Sequence, residues 1–126
     1  MKFKSLTLPV LIIAVLSFPS LSFSEGDVEK GKKIFKKCRG CHTDYIGGIN
    51  RPAPNLFGIV GSLAAQKKDY NYSSGMERAE LTWNDATLNE FLMKPKAFIK
   101  NTKMTFAGLK DKKQRVDVIA YLKSLQ

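Results

Sequence analysis

Apolar side chains recur at three- and four-residue intervals in three segments of the chain, which is the spacing of one helix face. The segments are residues 26–38, 84–93 and 111–125. Asp27 and Asp111 have side chains suited to capping the first and third helices, and Pro95 stops the second. A short helical turn is also expected at residues 97–99. The pattern therefore predicts a helical protein.

The first predicted helix buries a face made of Val28, Gly31, Ile34 and Phe35, while lysines occupy its other faces. A glycine inside a helix costs about 1 kcal/mol relative to alanine. Its presence is explained if another backbone packs closely against Gly31.

Residues 43–72 and 101–109 show no helical periodicity, and glycines and prolines interrupt the first of these segments repeatedly. Irregular segments of this length in a small domain are usually functional. The chain has no internal repeat, low-complexity tract or strand-rich block. The predicted fold class is all-α, with loops that wrap another component.

Residues 1–24 have the features of a secretory signal peptide. Lys2 and Lys4 precede a long stretch without charge, whose centre is apolar. Ser22 and Ser24 fit the small-residue positions of a cleavage site. We therefore expect cleavage after Ser24, with a cut after Ser22 as the neighbouring alternative.

An uncleaved membrane anchor is the competing interpretation of this segment, because residues 5–24 lack charge and are just long enough to span a bilayer. Pro9, Pro19 and several serines weaken that interpretation. In either case residues 25–126 leave the cytoplasm, and cleavage places them in the periplasm.

Residues 25–126 form one predicted domain. The whole chain is 44% hydrophobic and 25% charged, which is typical of a globular protein and excludes a disordered one. Removal of Lys2 and Lys4 lowers the formal net charge from +10 to +8. A domain this short has a modest core, so a large buried cofactor would stabilise it considerably.

The two cysteines and the single histidine of the chain lie within five residues, at Cys38, Cys41 and His42. This C-x-x-C-H pattern is typical of covalent c-type haem attachment. Two thiols about one helical turn apart can each add to a vinyl group of the same porphyrin, while the adjacent imidazole reaches the iron. The small residue Gly40 avoids crowding between the chain and the porphyrin.

Other interpretations of Cys38 and Cys41 are weaker. Their spacing also suits a disulfide or a thioredoxin-like redox pair, but such redox pairs occur beside a β-α-β unit, which the pattern does not show. A zinc site would need a fourth ligand, and the chain has no further cysteine or histidine to supply it.

Haem iron with one histidine ligand either takes a sixth ligand or stays open. No second histidine exists, so the candidates are Met76, Met93 and Met104. Met93 on a predicted helix and Met76 in a polar stretch are both ordinary packing residues. Met104 lies in a loop, which can place its thioether over the iron, and His/Met ligation suits electron transfer. An open site would instead permit peroxidase-like or ligand-sensing chemistry.

At these positions the chain resembles the class I c-type cytochromes, of the soluble bacterial kind similar to mitochondrial cytochrome c. The resemblance covers residues 26–125. Besides the haem motif it rests on Gly26-Asp27-Val28-Glu29-Lys30-Gly31, Pro54-Asn55-Leu56, Leu81-Thr82-Trp83, Thr102-Lys103-Met104-Thr105-Phe106-Ala107-Gly108 and Ile119-Ala120-Tyr121-Leu122. It implies a fold in which the N- and C-terminal helices cross and loops wrap one covalently bound haem.

The resemblance also implies roles for individual residues. Cys38 and Cys41 would carry the haem, and His42 and Met104 would ligate its iron. Three further roles would support the haem. The Pro54 carbonyl would accept a hydrogen bond from the other imidazole N–H. Tyr72 and Trp83 would hydrogen-bond a propionate, and Thr102 would lie near the Met104 sulfur.

The chain departs from the family pattern in four places, one of which spans two residues. Ser62 replaces an arginine, Phe91 replaces a tyrosine, Met76 replaces an asparagine, and Lys100-Asn101 replaces Pro-Gly. The resemblance therefore does not fix the reduction potential or the strength of the bond between Met104 and iron.

Lysines flank the haem motif and the segment around Met104. The resemblance implies a docking ring for acidic redox partners, made of Lys37, Lys96, Lys103 and Lys110. The alternative is a basic surface that only confers solubility. Nothing beyond positive charge suggests nucleic-acid binding.

The predicted function is that of a monomeric one-electron carrier rather than an enzyme. A quinol-oxidising cytochrome bc complex would be the donor, and a terminal oxidase or another periplasmic reductase the acceptor, with transient contact to the membrane surface. Two alternatives remain at this stage: an enzyme with an open iron site and a thiol protein without haem.

Overall fold

A computed structural model describes residues 1–2 and 25–126, so most of the predicted signal segment, residues 1–24, lies outside the described residues. Five helices occur in the described part: α1 (Val28–Phe35), α2 (Ser74–Arg78), α3 (Asp85–Met93), α4 (Pro95–Phe98) and α5 (Lys112–Ser124). The only β-type pairing recorded there is an isolated antiparallel bridge between Leu63 and Thr82. The all-α prediction is confirmed. No helix in residues 25–126 has the length and apolar character that crossing a membrane requires.

The three long helices begin at capping residues. Asp27 accepts a hydrogen bond from the Lys30 amide, and Asp111 accepts one from the Gln114 amide, as predicted. Asn84 and Thr87 form a reciprocal capping box at the start of α3. These side chains satisfy amides that the first turn of a helix leaves without partners.

Helix α1 is shorter than predicted: it ends at Phe35, three residues before the predicted end at Cys38. After Phe35 the backbone tightens, and the Cys38 amide donates to the Phe35 carbonyl at 2.8 Å, three residues back rather than four. The haem-type motif therefore lies on consecutive turns at the end of α1. Val28, predicted to be buried, is 39% exposed at the start of this helix.

Helix α2 was not predicted. It has only five residues and no apolar stripe, and the Ser73 hydroxyl caps it by accepting from the Met76 amide. The other short helix, α4, begins at Pro95, two residues before the helical turn expected at residues 97–99. Proline suits the first position of a helix because it needs no amide partner there.

Helices α1 and α5 cross in close contact. A Cβ atom on Gly31 would lie 2.0 Å from the Asp117 carbonyl oxygen, so only glycine permits this approach. Phe35 packs against Tyr121 with ring centroids 5.2 Å apart, and Val118 is fully buried beside them. The crossing explains the glycine in α1 and fixes the helix that leads into the haem-type motif.

The segment after α4 has no regular structure, as predicted for residues 101–109, but its far end is firmly held. The Leu109 amide donates to the Leu92 carbonyl at 2.8 Å. The guanidinium of buried Arg115 donates to the Leu109 and Lys110 carbonyls at 2.7 and 2.8 Å. Gly108 has a positive φ of 109° and lies against the Met93 carbonyl, where a Cβ would clash. The loop that contains Met104 is thereby anchored to α3 and α5.

Candidate cofactor site

One cavity of about 610 Å³ opens between the loops, a size typical of small-molecule and cofactor sites. It is lined by residues from the haem-type motif, the segment 52–76, helix α3 and the segment 102–106. Most sequence-predicted site residues line it: Lys37, Cys38, Cys41, His42, Pro54, Tyr72, Trp83, Thr102, Lys103 and Met104. The fold thus brings together residues that are far apart along the chain.

The imidazole of His42 is held in one orientation. Its Nδ1 lies 2.7 Å from the Pro54 carbonyl oxygen, and because a carbonyl can only accept, Nδ1 carries the proton. Burial lowers the pKa of His42, and the hydrogen bond to Pro54 only partly offsets this. The ring is therefore neutral at pH 7, and its Nε2 presents a lone pair suited to a metal.

Cys38 and Cys41 are both free thiols, so no disulfide joins them. Burial raises the pKa of the Cys38 thiol, and the neighbouring Cys41 adds to the effect. A raised pKa disfavours the thiolate that a redox-active pair needs. Within residues 25–126, no group of three or more His, Cys, Asp and Glu side chains is placed to hold a metal ion, which removes support for a zinc site.

The three candidate methionines are placed differently. Met104 and Met76 both line the cavity, whereas Met93 does not and is 40% exposed. The Thr102 hydroxyl accepts from the Met104 amide at 3.3 Å and so supports the backbone of that loop. Placement in the cavity leaves Met104 and Met76 as the methionines that can reach a group bound there.

The aromatic wall of the cavity is formed by Trp83 and Phe91, whose ring centroids are 5.1 Å apart. The Tyr72 hydroxyl accepts from the Lys67 amide at 3.2 Å, which leaves its own proton available. Ser62 also lines the cavity, and its hydroxyl donates to the Ile59 carbonyl at 2.7 Å.

One supporting network was missed at the level of the sequence. The carboxylate of Asp44 accepts from the Tyr121 hydroxyl at 2.6 Å and from Arg39 at 3.0 Å. Burial works against ionisation of Asp44, but these two hydrogen bonds hold its pKa below the usual range. The network ties the haem-type motif to α5. A separation of 77 residues between Asp44 and Tyr121 carries no local sequence signal.

The four predicted docking lysines are not equivalent. Lys37 and Lys103 line the cavity, whereas Lys96 on α4 and Lys110 before α5 are exposed and lie outside its lining. The Lys103 ammonium donates to the Asn71 carbonyl and lies 5.9 Å from the centre of the Tyr70 ring. Lys103 therefore also connects the Met104 loop to the loop on the other side of the cavity.

Comparison with known proteins agrees with this architecture. A family model described as cytochrome c matches residues 28–126. Cytochrome c of Euglena viridis is 43% identical over 102 residues, covering 80% of this chain and 99% of that protein. Cytochrome c2 of Rhodomicrobium vannielii is 40% identical over 114 residues, covering 89% of this chain and 90% of that protein.

Among solved structures, cytochrome cH from Methylobacterium extorquens superposes with a TM-score of 0.72 at 38% identity, covering 79% of this chain and 99% of that one. The chain belongs to the cytochrome c family. It is accordingly an electron-transfer protein with covalently bound haem c rather than an enzyme.

The cavity fits this cofactor by its chemistry. Its lining combines two thiols, a neutral imidazole and two thioethers with apolar and aromatic side chains. These are the groups that haem c requires for attachment, ligation and burial.

Proposed function

We propose that the protein is a periplasmic one-electron carrier whose haem is held by Cys38 and Cys41 and ligated by His42 and Met104. The observation that carries the proposal is the single cavity in which all four side chains meet. When bound, haem supplies a reversible one-electron change at its iron, and His/Met ligation raises the reduction potential.

His42 and Met104, which come from distant parts of the chain, would both ligate the haem iron. The Pro54 carbonyl fixes the imidazole orientation, so Nε2 needs no reorientation on ligation. The anchored ends of the Met104 loop limit how far its thioether can withdraw. A closed iron site favours outer-sphere electron transfer over reaction with small ligands.

Tyr72 and Trp83 would serve a haem propionate. The Tyr72 hydroxyl has an unused proton, and the Trp83 indole N–H can only donate. Both groups line the cavity. With Ser62 in place of the family arginine, these neutral donors would carry more of the interaction with the propionate than in relatives that keep the arginine.

The basic surface would guide the carrier to acidic partners. Lys37 and Lys103 lie at the cavity, and Lys96 and Lys110 extend the positive charge along the exposed surface. Such charges accelerate association and lose their effect as salt increases. We propose a quinol-oxidising cytochrome bc complex as donor and a terminal oxidase as acceptor, in a respiratory chain.

Export would place the carrier between these complexes. The charge pattern of residues 1–24 supports a cleaved signal peptide, which leaves residues 25–126 as the carrier domain. Mass spectrometry of the exported protein tests this segment. An N-terminus at Glu25 supports cleavage, whereas an intact Met1 start in the membrane fraction supports an anchor.

The experiment for carrier function measures oxidation of the reduced holoprotein by a purified terminal oxidase. We expect Lys96→Glu/Lys110→Glu to slow the reaction about tenfold at low salt and to reduce its salt dependence. Lys103 is left intact because its substitution would also disturb the cavity. The control, Lys32→Glu/Lys33→Glu, makes the same charge change on α1 away from the cavity lining. Equal rates for the two double variants would reject the docking role of Lys96 and Lys110, and no oxidation of the wild type would reject this acceptor.

A further inference from the structure

Three large apolar side chains are exposed within five residues of the chain. Tyr45 is 58% exposed, Ile46 is 79% exposed and Ile49 is 65% exposed. Single exposed apolar residues are common on protein surfaces, but clustered ones usually mark a contact site. We call these three residues the apolar loop patch.

The loop that presents the patch is held by hydrogen bonds on several sides. The Gly48 amide donates to the Tyr45 carbonyl at 3.0 Å, and the Thr43 hydroxyl donates to the Ile49 carbonyl at 2.9 Å. The side-chain amide of Asn55, which is buried, donates to the Tyr45 carbonyl at 2.9 Å. The exposure is therefore built into a braced loop, and little entropy is lost when a partner binds there.

The patch borders the cofactor cavity. The loop starts directly after His42 and leads into Pro52 and Ala53, all three of which line the cavity. Arg51 is an exposed basic residue of the same loop, and the exposed Lys37 lines the cavity that this loop borders. An apolar area beside an electron-transfer site, with cations at its border, is complementary to a partner surface with an apolar centre and acidic surroundings.

We propose that the apolar loop patch is a docking contact for the redox partner protein, beside the cofactor cavity. The inference rests on the proposed carrier function and specifies the partner surface as apolar with an acidic border. Three side chains are too few for the roughly 800 Å² per partner that stable complexes bury, which disfavours a permanent dimer. A small contact suits a carrier that must leave its partner after each transfer.

The test compares oxidation of the reduced holoprotein by a purified terminal oxidase for wild type and Ile46→Ser/Ile49→Ser. We expect KM to rise about tenfold with kcat retained, which corresponds to about 1.4 kcal/mol of lost apolar contact. The rise should persist from about 10 mM to about 500 mM salt, because screening weakens charge attraction but not apolar burial. The control, Val28→Ser, removes an exposed apolar side chain at the start of α1, and its KM should match the wild type.

Three results would overturn the inference. An unchanged KM in the double variant would show that the patch makes no partner contact. A change confined to binding of vesicles that contain anionic phosphatidylglycerol would assign the patch to a membrane surface. A concentration-dependent dimer that Ile46→Ser/Ile49→Ser abolishes would assign it to a second copy. Failure of the wild type to react with the oxidase would instead reject the proposed acceptor, and the docking contact for that partner with it.

Discussion

The crossing of α1 and α5 makes a quantitative prediction for Gly31→Ala. The new Cβ would lie 2.0 Å from the Asp117 carbonyl oxygen and 2.8 Å from the Tyr121 Cβ, whereas ordinary contact begins at 3.4 Å. The helices would have to separate by about 1.4 Å, because neither contact is the end of a flexible side chain.

Two opposing effects decide whether Gly31→Ala raises or lowers the free energy of unfolding. Alanine improves helix propensity by about 1 kcal/mol, while overpacking costs about 3 kcal/mol at the upper end of its range, where backbone must move. We therefore expect a net destabilisation of about 2 kcal/mol, which lowers Tm by about 8–16 °C for a domain of this size.

Thermal unfolding of the holoprotein, followed by far-UV circular dichroism, measures this change. Lys32→Ala is the matched control because it places alanine on the exposed face of the same helix. Its Tm should stay within a few degrees of the wild type. A Tm of Gly31→Ala equal to or above that of the wild type would refute the argument from close helix contact.

Three further predictions concern single contacts. Burial opposes ionisation of Asp117, but Lys113 and the Asp27 amide hold its pKa below the usual range. The ionised carboxylate therefore stabilises the fold above the unfolded pKa of about 3.9, and this stabilisation is lost as pH falls through the folded pKa. Asp117→Asn should thus be less stable at pH 7, with the difference shrinking below about pH 4 in urea titrations; a constant difference would contradict this. Tyr121→Phe should lower the free energy of unfolding by about 1.5 kcal/mol in the same titrations, because it removes the hydroxyl that donates to Asp44. Tyr45→Phe is the control at an exposed tyrosine and should leave the free energy of unfolding almost unchanged. Lys103→Leu should lower the urea midpoint at which the charge-transfer band of methionine-ligated ferric haem disappears, because it removes the bond to the Asn71 carbonyl. Lys100→Leu is its control, and equal midpoints would show that this bond does not hold the loop.

The three long helices and the haem-type motif were predictable from the sequence because their signals are local, whereas Pro54, Tyr72, Trp83 and Thr102 were expected in the site only from the family resemblance. Capping residues lie next to the helices that they start, and the C-x-x-C-H spacing places three functional groups on adjacent turns. Gly31 was predictable for a related reason, since an unfavourable residue inside a helix indicates a close neighbour.

Features that depend on distant contacts were not predictable in this way. The bond from Tyr121 to Asp44 and the bond from Lys103 to Asn71 join residues with no shared sequence pattern. Helix α2 is too short for periodicity to reveal it and depends on the Ser73 cap. Val28 has the helical spacing of a buried residue, yet it is 39% exposed.

The central claim, haem c ligated by His42 and Met104, is tested most directly by the absorption spectrum of the ferric holoprotein. Methionine-ligated ferric haem has a weak charge-transfer band in the red. We expect this band in the wild type and in Met76→Leu, the control at the other methionine of the cavity. Met104→Leu should lose the band while it retains covalent haem on denaturing gels. A band that survives Met104→Leu, or that is absent from the folded wild type at neutral pH, would show that Met104 does not ligate the iron.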